Sequence, residues 1–219
     1  MRPGAAPGPS SVYAIADAGA LLPRRLAEGA EAMAQAGIRT IQLRAKSLDD
    51  GELFRESEEC LRRLEGWEGE LWIDDRVDLA AVLPFAGVQL GQRDLPPRAA
   101  RKVLGPGSSR IGASTHDEAQ WRRALTDPDV DWIAVGPVLP TTSKANPDPV
   151  VGFEELSRLS ALGRVSGGVR KPLIAIGGID ASNVGRVLRS GADSAAVLSA
   201  VCVGDIDANC RRLLQAVDR

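Results

Sequence analysis

The sequence has few of the residues that build metal clusters or covalent catalytic centres. It contains one histidine, His116, and three cysteines, Cys60, Cys202 and Cys210, with no CxxC spacing. This odd, sparse set argues against a disulfide framework and against a structural zinc site. A Ser-His-Asp or reactive-cysteine signature is also lacking, so no protein nucleophile is expected. We interpret the cysteines as reduced thiols.

The chain also lacks long apolar runs and an excess of charge. No apolar run approaches the ~20 residues that span a bilayer. With 27 basic and 29 acidic residues the formal net charge is −2, which gives no reason to expect a nucleic acid or a membrane surface as a partner. Residues 1–10 are rich in Pro, Gly and Ala and have no apolar segment typical of a secretory signal. We therefore predict a disordered tail over residues 1–10 and a cytoplasmic protein.

Eight short apolar runs recur along the chain, and amphipathic stretches separate them. Such runs are typical of strands that are buried on both faces of a parallel sheet. The runs are Val12–Ala16, Thr40–Leu43, Leu71–Ile73, Gly87–Leu90, Arg110–Ala113, Trp132–Val135, Leu173–Ile176 and Ser194–Leu198. They predict an α/β fold, a single parallel (β/α)8 TIM barrel over residues 11–219. The competing open, doubly wound sheet usually has a GxGxxG turn after its first strand, and residues 17–20 here are DAGA.

The intervening stretches carry helix start and stop signals. Apolar residues at near-helical spacing from Leu22 to Met33, followed by Gly37, predict the first helix. Asp49 and Asp50 are expected to cap the second helix, and Asp117 is expected to open the fifth. The residues from Asp180 to Ser182 are expected to open the seventh helix.

Polar residues cluster directly after the predicted strands. Because side chains at the carboxyl ends of barrel strands build the active site, we expect these clusters to share one rim. They are Gln42–Lys46, Asp74–Arg76, Gly91–Asp94, Ser114–His116, Pro140–Lys144, Gly177–Gly178 and Ser199.

The charged members of these clusters indicate chemistry on a diphosphate. Arg44, Lys46 and Lys144 supply cations, and arginine can hold phosphate oxygens with two donors. Asp75 and Asp94 are hard oxygen ligands, and Mg2+ typically takes one or two carboxylates together with substrate phosphates and water. Cations and Mg2+ at one rim match a leaving group that concentrates negative charge.

The glycines after strand seven and the turn at Ser199 match the usual phosphate-monoester site of such barrels. Simpler interpretations exist for each residue. A single carboxylate such as Asp75 or Asp94 often caps a helix or forms a salt bridge. His116 could be a packing residue near the start of helix five or a general base.

Seven motifs together resemble the thiamine phosphate synthase family, from about Val12 to the end of the chain. The motifs are QLRAK (42–46), DDRVDLA (74–80), GVQLGQRDLP (87–96), IGASTH (111–116), VGPVLPTTSK (135–144), IAIGGI (174–179) and GADSAAVLSAV (191–201). The resemblance implies an enzyme of thiamine biosynthesis. It would condense an aminopyrimidine diphosphate with a thiazole phosphate, with Mg2+ as cofactor, through a carbocation-like intermediate.

The resemblance also implies a role for individual residues. The substrate-binding positions are Gln42, Leu43, Arg44, Ala45, Lys46, Asp74, Ser114, Thr141, Thr142, Ser143, Lys144, Gly178, Leu198 and Ser199. Of these, Arg44, Lys46, Ser114 and Lys144 are expected to act in catalysis, and Asp75 and Asp94 are expected to bind Mg2+. Thr141 to Ser143 and the cradle of Gly178, Leu198 and Ser199 would contact the thiazole phosphate.

The chain departs from the family pattern at two positions. Asp74 stands where the family usually has asparagine, and its charge could weaken diphosphate binding or be compensated by Mg2+. Gln89 stands where the family usually has histidine, and we expect little effect. Residues 145–151 are expected to form a loop that closes over the substrate and excludes water.

Two alternatives stay open at this point. A thiazole tautomerase-like isomerase on the same barrel would use His116 as its base, although it would not need Asp75, Asp94 or Lys144. A non-catalytic ligand-binding relative is the other alternative, and Asp74 is the feature that favours it. Turnover that depends on Mg2+ separates the synthase from both. No motif indicates an oligomeric state.

Overall fold

Eight parallel strands close into a barrel in a computed structural model that describes residues 9–143, 148–165 and 170–217. The strands are β1 (Val12–Asp17), β2 (Thr40–Arg44), β3 (Glu70–Asp74), β4 (Gly87–Leu90), β5 (Arg110–Thr115), β6 (Trp132–Val135), β7 (Leu173–Ile176) and β8 (Ser194–Val197). Each strand pairs with the next, and β8 pairs with β1. The predicted (β/α)8 barrel is therefore confirmed.

Helices follow the strands and cover the outside of the barrel. They are α1 (Leu26–Gln35), α2 (Asp50–Arg63), α3 (Val77–Val82), α4 (Pro97–Leu104), α5 (Glu118–Thr126), α6 (Gly152–Val165), α7 (Val184–Arg189), α8 (Ser199–Cys202) and α9 (Ile206–Val217). Asp49 and Asp117 cap α2 and α5 as predicted, since their carboxylates accept the backbone N–H of Glu52 and Gln120 at 2.8 Å.

The first and seventh helices begin later than the sequence patterns predict. Leu22 is 73% exposed and lies in a turn, so its assignment to α1 was wrong. The reason is Pro23, because a residue that precedes proline is disfavoured in the helical conformation. The segment from Asp180 to Ser182 also forms a turn, and α7 starts at Val184 with Asn183 as its N-cap.

Alternate residues along each strand face the barrel interior, as the two-residue period of a strand requires. Inside the barrel, the indoles of Trp72 and Trp132 stack with their ring centroids 3.5 Å apart. Glycines on the neighbouring strands make room for this pair. A Cβ on Gly87 would lie 2.4 Å from the Trp72 ring, and one on Gly112 would lie 2.1 Å from Trp132 Nε1. We call the stacked indoles of Trp72 and Trp132 the aromatic floor of the barrel; they are closely packed in its interior.

Some sequence-based predictions fall partly outside the described residues. Residues 1–8 of the predicted tail do so, as do Lys144 and residues 145–147 of the predicted loop. Ser10 is described, and its backbone N–H donates to Thr40 Oγ1 at 3.2 Å. Among the described helices, none combines the length and the apolar character that a membrane crossing requires.

Candidate active site

A cavity of about 800 Å³ opens at the carboxyl ends of the strands. It brings together most of the predicted site residues that the structure describes. Those in its lining are Gln42, Arg44, Lys46, Asp74, Asp75, Asp94, Ser114, Thr141, Ser143, Gly178, Leu198 and Ser199. The other three described candidates, Leu43, Ala45 and Thr142, are not part of the lining. Leu43 is fully buried in the outer core because, next to the inward-facing Gln42 and Arg44, it points towards the helices.

Arg44 lies between two carboxylates at the rim. Its Nη1 forms an ion pair with Asp17 Oδ2, and its Nε lies 3.6 Å from Asp74 Oδ2. Asp17 is buried and also accepts the backbone N–H of Ala20 at 2.9 Å. The guanidinium is therefore held in place from the end of β1, with a second carboxylate beside it.

Lys46 lies beside two carboxylates at the end of the neighbouring strand. Its Nζ is 3.2 Å from Asp74 Oδ2 and also pairs with Asp75 Oδ2. Burial acts to lower the pKa of Lys46, but Asp74 and Asp75 outweigh it, so the pKa lies above its usual value. Lys46 is accordingly a cation at neutral pH.

Asp74, Asp75 and Asp94 concentrate negative charge on this side of the cavity. Burial raises the pKa of Asp74 to about 6, with a further contribution from Asp75, while Lys46 and Arg44 oppose the shift. Burial also raises the pKa of Asp75; Lys46 opposes this shift, and the neighbouring Asp94 adds to it. Repulsion between carboxylates of this kind is relieved by a cation that binds between them.

The backbone at Asp75 is unusual, because this residue adopts a left-handed conformation with φ of 61°. Side chains other than glycine seldom take this conformation, and it is found preferentially at functional sites. Its N–H donates to Gln89 O at 2.9 Å, which ties the turn to β4. In the turn after β4, Asp94 Oδ2 accepts the N–H of Gly91 at 2.7 Å. The Asp94 carboxylate is thus fixed by a backbone donor, and the Asp75 carboxylate by its ion pair with Lys46.

Asp75 and Asp94 fit a divalent cation that takes its other ligands from a substrate. Within the described ranges, no group of three or more His, Cys, Asp or Glu side chains could hold a metal ion. Mg2+ does not require such a group, since it is commonly held by one or two carboxylates, phosphate oxygens and water. The donor set is therefore suited to Mg2+ that arrives with a diphosphate.

Polar side chains from β2, β4 and β5 line the deeper part of the cavity. Gln42 is buried, and its Nε2 has no hydrogen-bond partner among the described residues, so this amide is available to a ligand. Gln89 Nε2 donates to Ser114 Oγ at 2.9 Å, and Gln89 Oε1 accepts from Trp132 Nε1 at 3.1 Å.

The ends of β7 and β8 form a different kind of surface, built from backbone. Gly177 and Gly178 have φ of 100° and 67°, and a Cβ on Gly178 would lie 2.5 Å from Pro140 O. Only glycine fits such a close approach without strain. Asn183 fixes the turn, because its Nδ2 donates to Gly178 O at 3.0 Å and its Oδ1 accepts from the N–H of Asp180 at 3.0 Å.

His116 lines the cavity, with protein oxygens next to both of its ring nitrogens. Its Nδ1 is 2.6 Å from Gly136 O, and its Nε2 is 3.6 Å from Asp148 Oδ2. Its backbone N–H donates to Gln120 Oε1 at 2.9 Å. The contact with Gly136 O fixes the orientation of the ring and turns Nε2 towards Asp148.

A model of the thiamine monophosphate synthase family matches residues 12–201, a span that contains all eight strands and every candidate residue. The chain belongs to the thiamine monophosphate synthase family. The resemblance inferred from the seven motifs is thereby confirmed.

Individual members of this family are similar over nearly the whole chain. A thiamine-phosphate synthase of Koribacter versatilis is 40% identical over 196 residues, which cover 88% of this chain and 89% of the relative. One of Syntrophomonas wolfei is 33% identical over 210 residues, covering 95% and 97%. The solved structure of a thiamine phosphate pyrophosphorylase from Pyrococcus furiosus is 28% identical and superposes with a TM-score of 0.81, covering 95% of each chain.

Three residues in or beside the cavity were not predicted from the sequence as site residues. Asp17 ends β1 and pairs with Arg44, so the rule that strand ends build the site could have found it. Gln89 is a buried polar residue within a strand, which is itself a signal of a specific partner. Trp132 gave no signal beyond packing, because its partner Gln89 lies two strands away.

Proposed function

We propose that the chain is a thiamine-phosphate synthase, a transferase that joins an aminopyrimidine diphosphate to a thiazole phosphate and releases diphosphate. One observation carries the proposal beyond family membership. The cations Arg44 and Lys46, the carboxylates Asp75 and Asp94, and the turn at Gly178 line a single cavity. Such a cavity offers separate ends to two phosphorylated substrates.

The diphosphate end uses charged side chains. Arg44 and Lys46 bind diphosphate oxygens, and Lys144, which lies outside the described residues, is proposed to join them. Asp75 and Asp94 would hold Mg2+, which neutralises charge that develops on the departing diphosphate. The C–O bond to the pyrimidine methylene carbon breaks, and the electron pair leaves with the diphosphate. The residues supply charge stabilisation and no covalent bond.

The acceptor substrate lies at the other end. Its phosphate is proposed to bind at Thr141, Thr142 and Ser143 and at the cradle of Gly178, Leu198 and Ser199. This places the thiazole nitrogen towards the pyrimidine, whose ring Gln42 and Ser114 orient. The lone pair of that nitrogen then forms the new C–N bond, so the reaction needs positioning and no protein nucleophile.

Two features protect and locate this reaction. Residues 145–151 are proposed to cover the bound substrates, because water would compete with the thiazole for the cation. Both substrates are small and highly charged, and we propose that the enzyme works on them in the cytoplasm without nucleic acid or membrane partners.

The geometry favours the synthase over the tautomerase-like alternative. That alternative requires His116 as the base and has no need of Asp75 or Asp94, which line the same cavity. The ligand-binding alternative rests on Asp74, whose charge is balanced by Lys46 at 3.2 Å and Arg44 at 3.6 Å. Turnover that depends on Mg2+ separates the synthase from the ligand-binding alternative, which would also keep Asp75 and Asp94.

The test is formation of thiamine phosphate and diphosphate from the two substrates, with and without Mg2+, by the native chain and by Asp74→Asn. The proposal expects Mg2+-dependent product from the native chain. Product from Asp74→Asn alone would mean that the native site has lost the activity. If both proteins are silent with Mg2+ present, the synthase proposal is overturned.

A further inference from the structure

Gln89 connects the aromatic floor of the barrel to a predicted catalytic residue. It is 6% exposed, on the inward face of β4, and its amide lies between Trp132 Nε1 at 3.1 Å and Ser114 Oγ at 2.9 Å. Both contacts cross to other strands, since Ser114 is on β5 and Trp132 on β6. Both the oxygen and the nitrogen of the Gln89 amide are hydrogen-bonded to protein groups, although the side chain lines the cavity.

The chemistry of the three groups fixes the direction of these hydrogen bonds. The indole N–H of Trp132 can only donate, so it must face the amide oxygen of Gln89. The amide NH2 is then turned towards Ser114 and can only donate. Ser114 Oγ must therefore accept at this contact, and its own proton is left for another partner.

The remaining surroundings of Ser114 direct that proton into the cavity. The backbone oxygen of Ser114 is already occupied by Gln92 Nε2 at 2.7 Å. Its side chain lines the cavity. A ligand acceptor, such as a nitrogen of the aminopyrimidine, is the partner that this arrangement suits.

The starting point of this chain of hydrogen bonds is held rigidly. Trp132 stacks on Trp72 at 3.5 Å between centroids, and Tyr13 packs against it at 5.6 Å. Gly112 leaves the space in which the Trp132–Gln89 contact forms, because a Cβ there would lie 2.0 Å from Gln89 Oε1. The indole therefore cannot turn away without repacking the floor.

We propose that Gln89 is a positioning residue that acts through Ser114. Trp132 orients the Gln89 amide, and the amide orients the Ser114 hydroxyl as a donor towards the pyrimidine substrate. This inference rests on the proposed function, since the pyrimidine is the ligand that it names. It also assigns a role to a residue at which the sequence suggested little effect of the departure from histidine.

A double-mutant cycle tests the inference. Gln89→Met keeps the length and removes both polar contacts. We expect it to lower kcat/KM for the aminopyrimidine diphosphate about 10- to 100-fold, within the range for leaving a buried polar group unsatisfied. The KM for the thiazole phosphate should change by less than about 2-fold. In a Ser114→Ala background the same change should cost less than about 2-fold. Gln35→Met, at the exposed end of α1, is the matched control.

Rescue by a different side chain distinguishes positioning from packing. A neutral imidazole has one donor and one acceptor nitrogen, so Gln89→His can serve Trp132 and Ser114 together. The imidazolium has two donors and opposes the indole N–H. The rate of Gln89→His relative to the native chain should therefore be near one at pH 8 and fall as pH drops through about 6.5. If Gln89→His only disturbs packing, the ratio of its rate to the native rate should not depend on pH.

Binding of the aminopyrimidine monophosphate, measured by calorimetry, keeps this test independent of turnover. If the native chain binds it but forms no product, the proposed function fails, and weaker binding to Gln89→Met still supports the positioning role. Additive losses in Gln89→Met and Ser114→Ala, or equal losses for both substrates, overturn the inference. So does a native chain that does not bind the pyrimidine.

Discussion

The two ends of the cavity have linings of different kinds. The ends of β2, β3 and β4 present charged side chains: Arg44 and Lys46 pair with Asp74 and Asp75, and Asp94 lines the cavity beside them. The end of β7 presents backbone, because Gly177 and Gly178 have positive φ and lie against the loop that follows β6. The first end carries full positive charges, whereas the second offers the dipoles of its backbone.

This difference matches the fates of the two phosphates in the proposed reaction. The diphosphate becomes a leaving group and gains negative charge, so cations that are already held in place and a metal are suited to it. The phosphate of the thiazole does not react, so a fixed set of backbone donors is sufficient for it. Changes at the charged end should therefore affect turnover, and changes at the backbone end should affect binding.

The largest effect is expected for Arg44→Ala. Removing a group that stabilises charge in the transition state commonly costs about 10²- to 10³-fold in kcat, and we expect a loss in this range. Steady-state kinetics with both substrates and saturating Mg2+ measure it. Because Asp17 loses its buried partner, thermal unfolding must show that the variant is folded.

Arg39→Ala is the matched control for this change, because Arg39 precedes the opposite end of β2 and pairs with the exposed Glu68 at 3.2 Å. Its activity should stay within about 2-fold of the native value. A folded Arg44→Ala protein with kcat reduced less than about 5-fold would show that the charged end does not carry the chemistry.

Removal of Mg2+ should separate the two ends by binding alone. Chelation is expected to weaken the affinity for inorganic diphosphate by more than about 10-fold, because Asp75 and Asp94 then repel the ligand instead of sharing a cation with it. The affinity for the thiazole phosphate should change by less than about 2-fold. Calorimetric titrations of each ligand, in Mg2+ and in chelator, check both numbers. An equal loss of affinity for the two ligands would contradict the assignment of Mg2+ to the diphosphate end alone.

A smaller, selective effect is expected for Gly178→Ala. The added Cβ would lie 2.5 Å from Pro140 O at a φ of 67°, so the turn must shift. The KM for the thiazole phosphate should rise about 10-fold while kcat changes little. Gly105→Ala is the control, because Gly105 also has a positive φ of 83° but has no atom within 4 Å of the added Cβ. If both variants raise this KM equally, backbone strain and not the cradle is responsible.

The sequence predicted which charged residues line the cavity, but it did not predict the hydrogen bonds that connect neighbouring strands inside the barrel. Alternating strands and helices located the rim, so Arg44, Lys46, Asp75 and Asp94 were found from their places after strands, and all line the cavity. The bridge from Trp132 through Gln89 to Ser114 was not found. It depends on how three strands are staggered in the closed barrel, and no spacing within one strand reports that register.

Local sequence rules failed in a similar way at the first helix. The apolar spacing from Leu22 onwards indicated helix, yet Pro23 prevents it, and α1 starts at Leu26. Glu56 of α2 caps the start of α1, because its Oε2 accepts the N–H of Ala27 at 3.0 Å, and Arg25 Nε donates to Glu56 Oε1 at 2.8 Å. A contact between α1 and α2 thus sets a boundary that periodicity alone placed too early.

The smallest effect is expected for Asp74→Asn. This variant shows whether Asp74 competes with the diphosphate or is part of its binding site. The native carboxylate shares Lys46 at 3.2 Å and Arg44 at 3.6 Å, and so competes with the diphosphate for both cations. Removing its charge should lower the KM for the aminopyrimidine diphosphate about 2- to 5-fold, the size expected for partly exposed ion pairs. The KM for the thiazole phosphate should not change.

Asp50→Asn removes the same charge at a residue whose side chain is 89% exposed and pairs with Arg76 outside the cavity. It should leave both KM values unaltered, which separates a local effect of Asp74 from one of net charge. A higher KM for the diphosphate in Asp74→Asn would mean that Asp74 holds Arg44 and Lys46 in their binding positions. In that case the carboxylate is part of the diphosphate site rather than its competitor, and the charged end depends on three carboxylates instead of two.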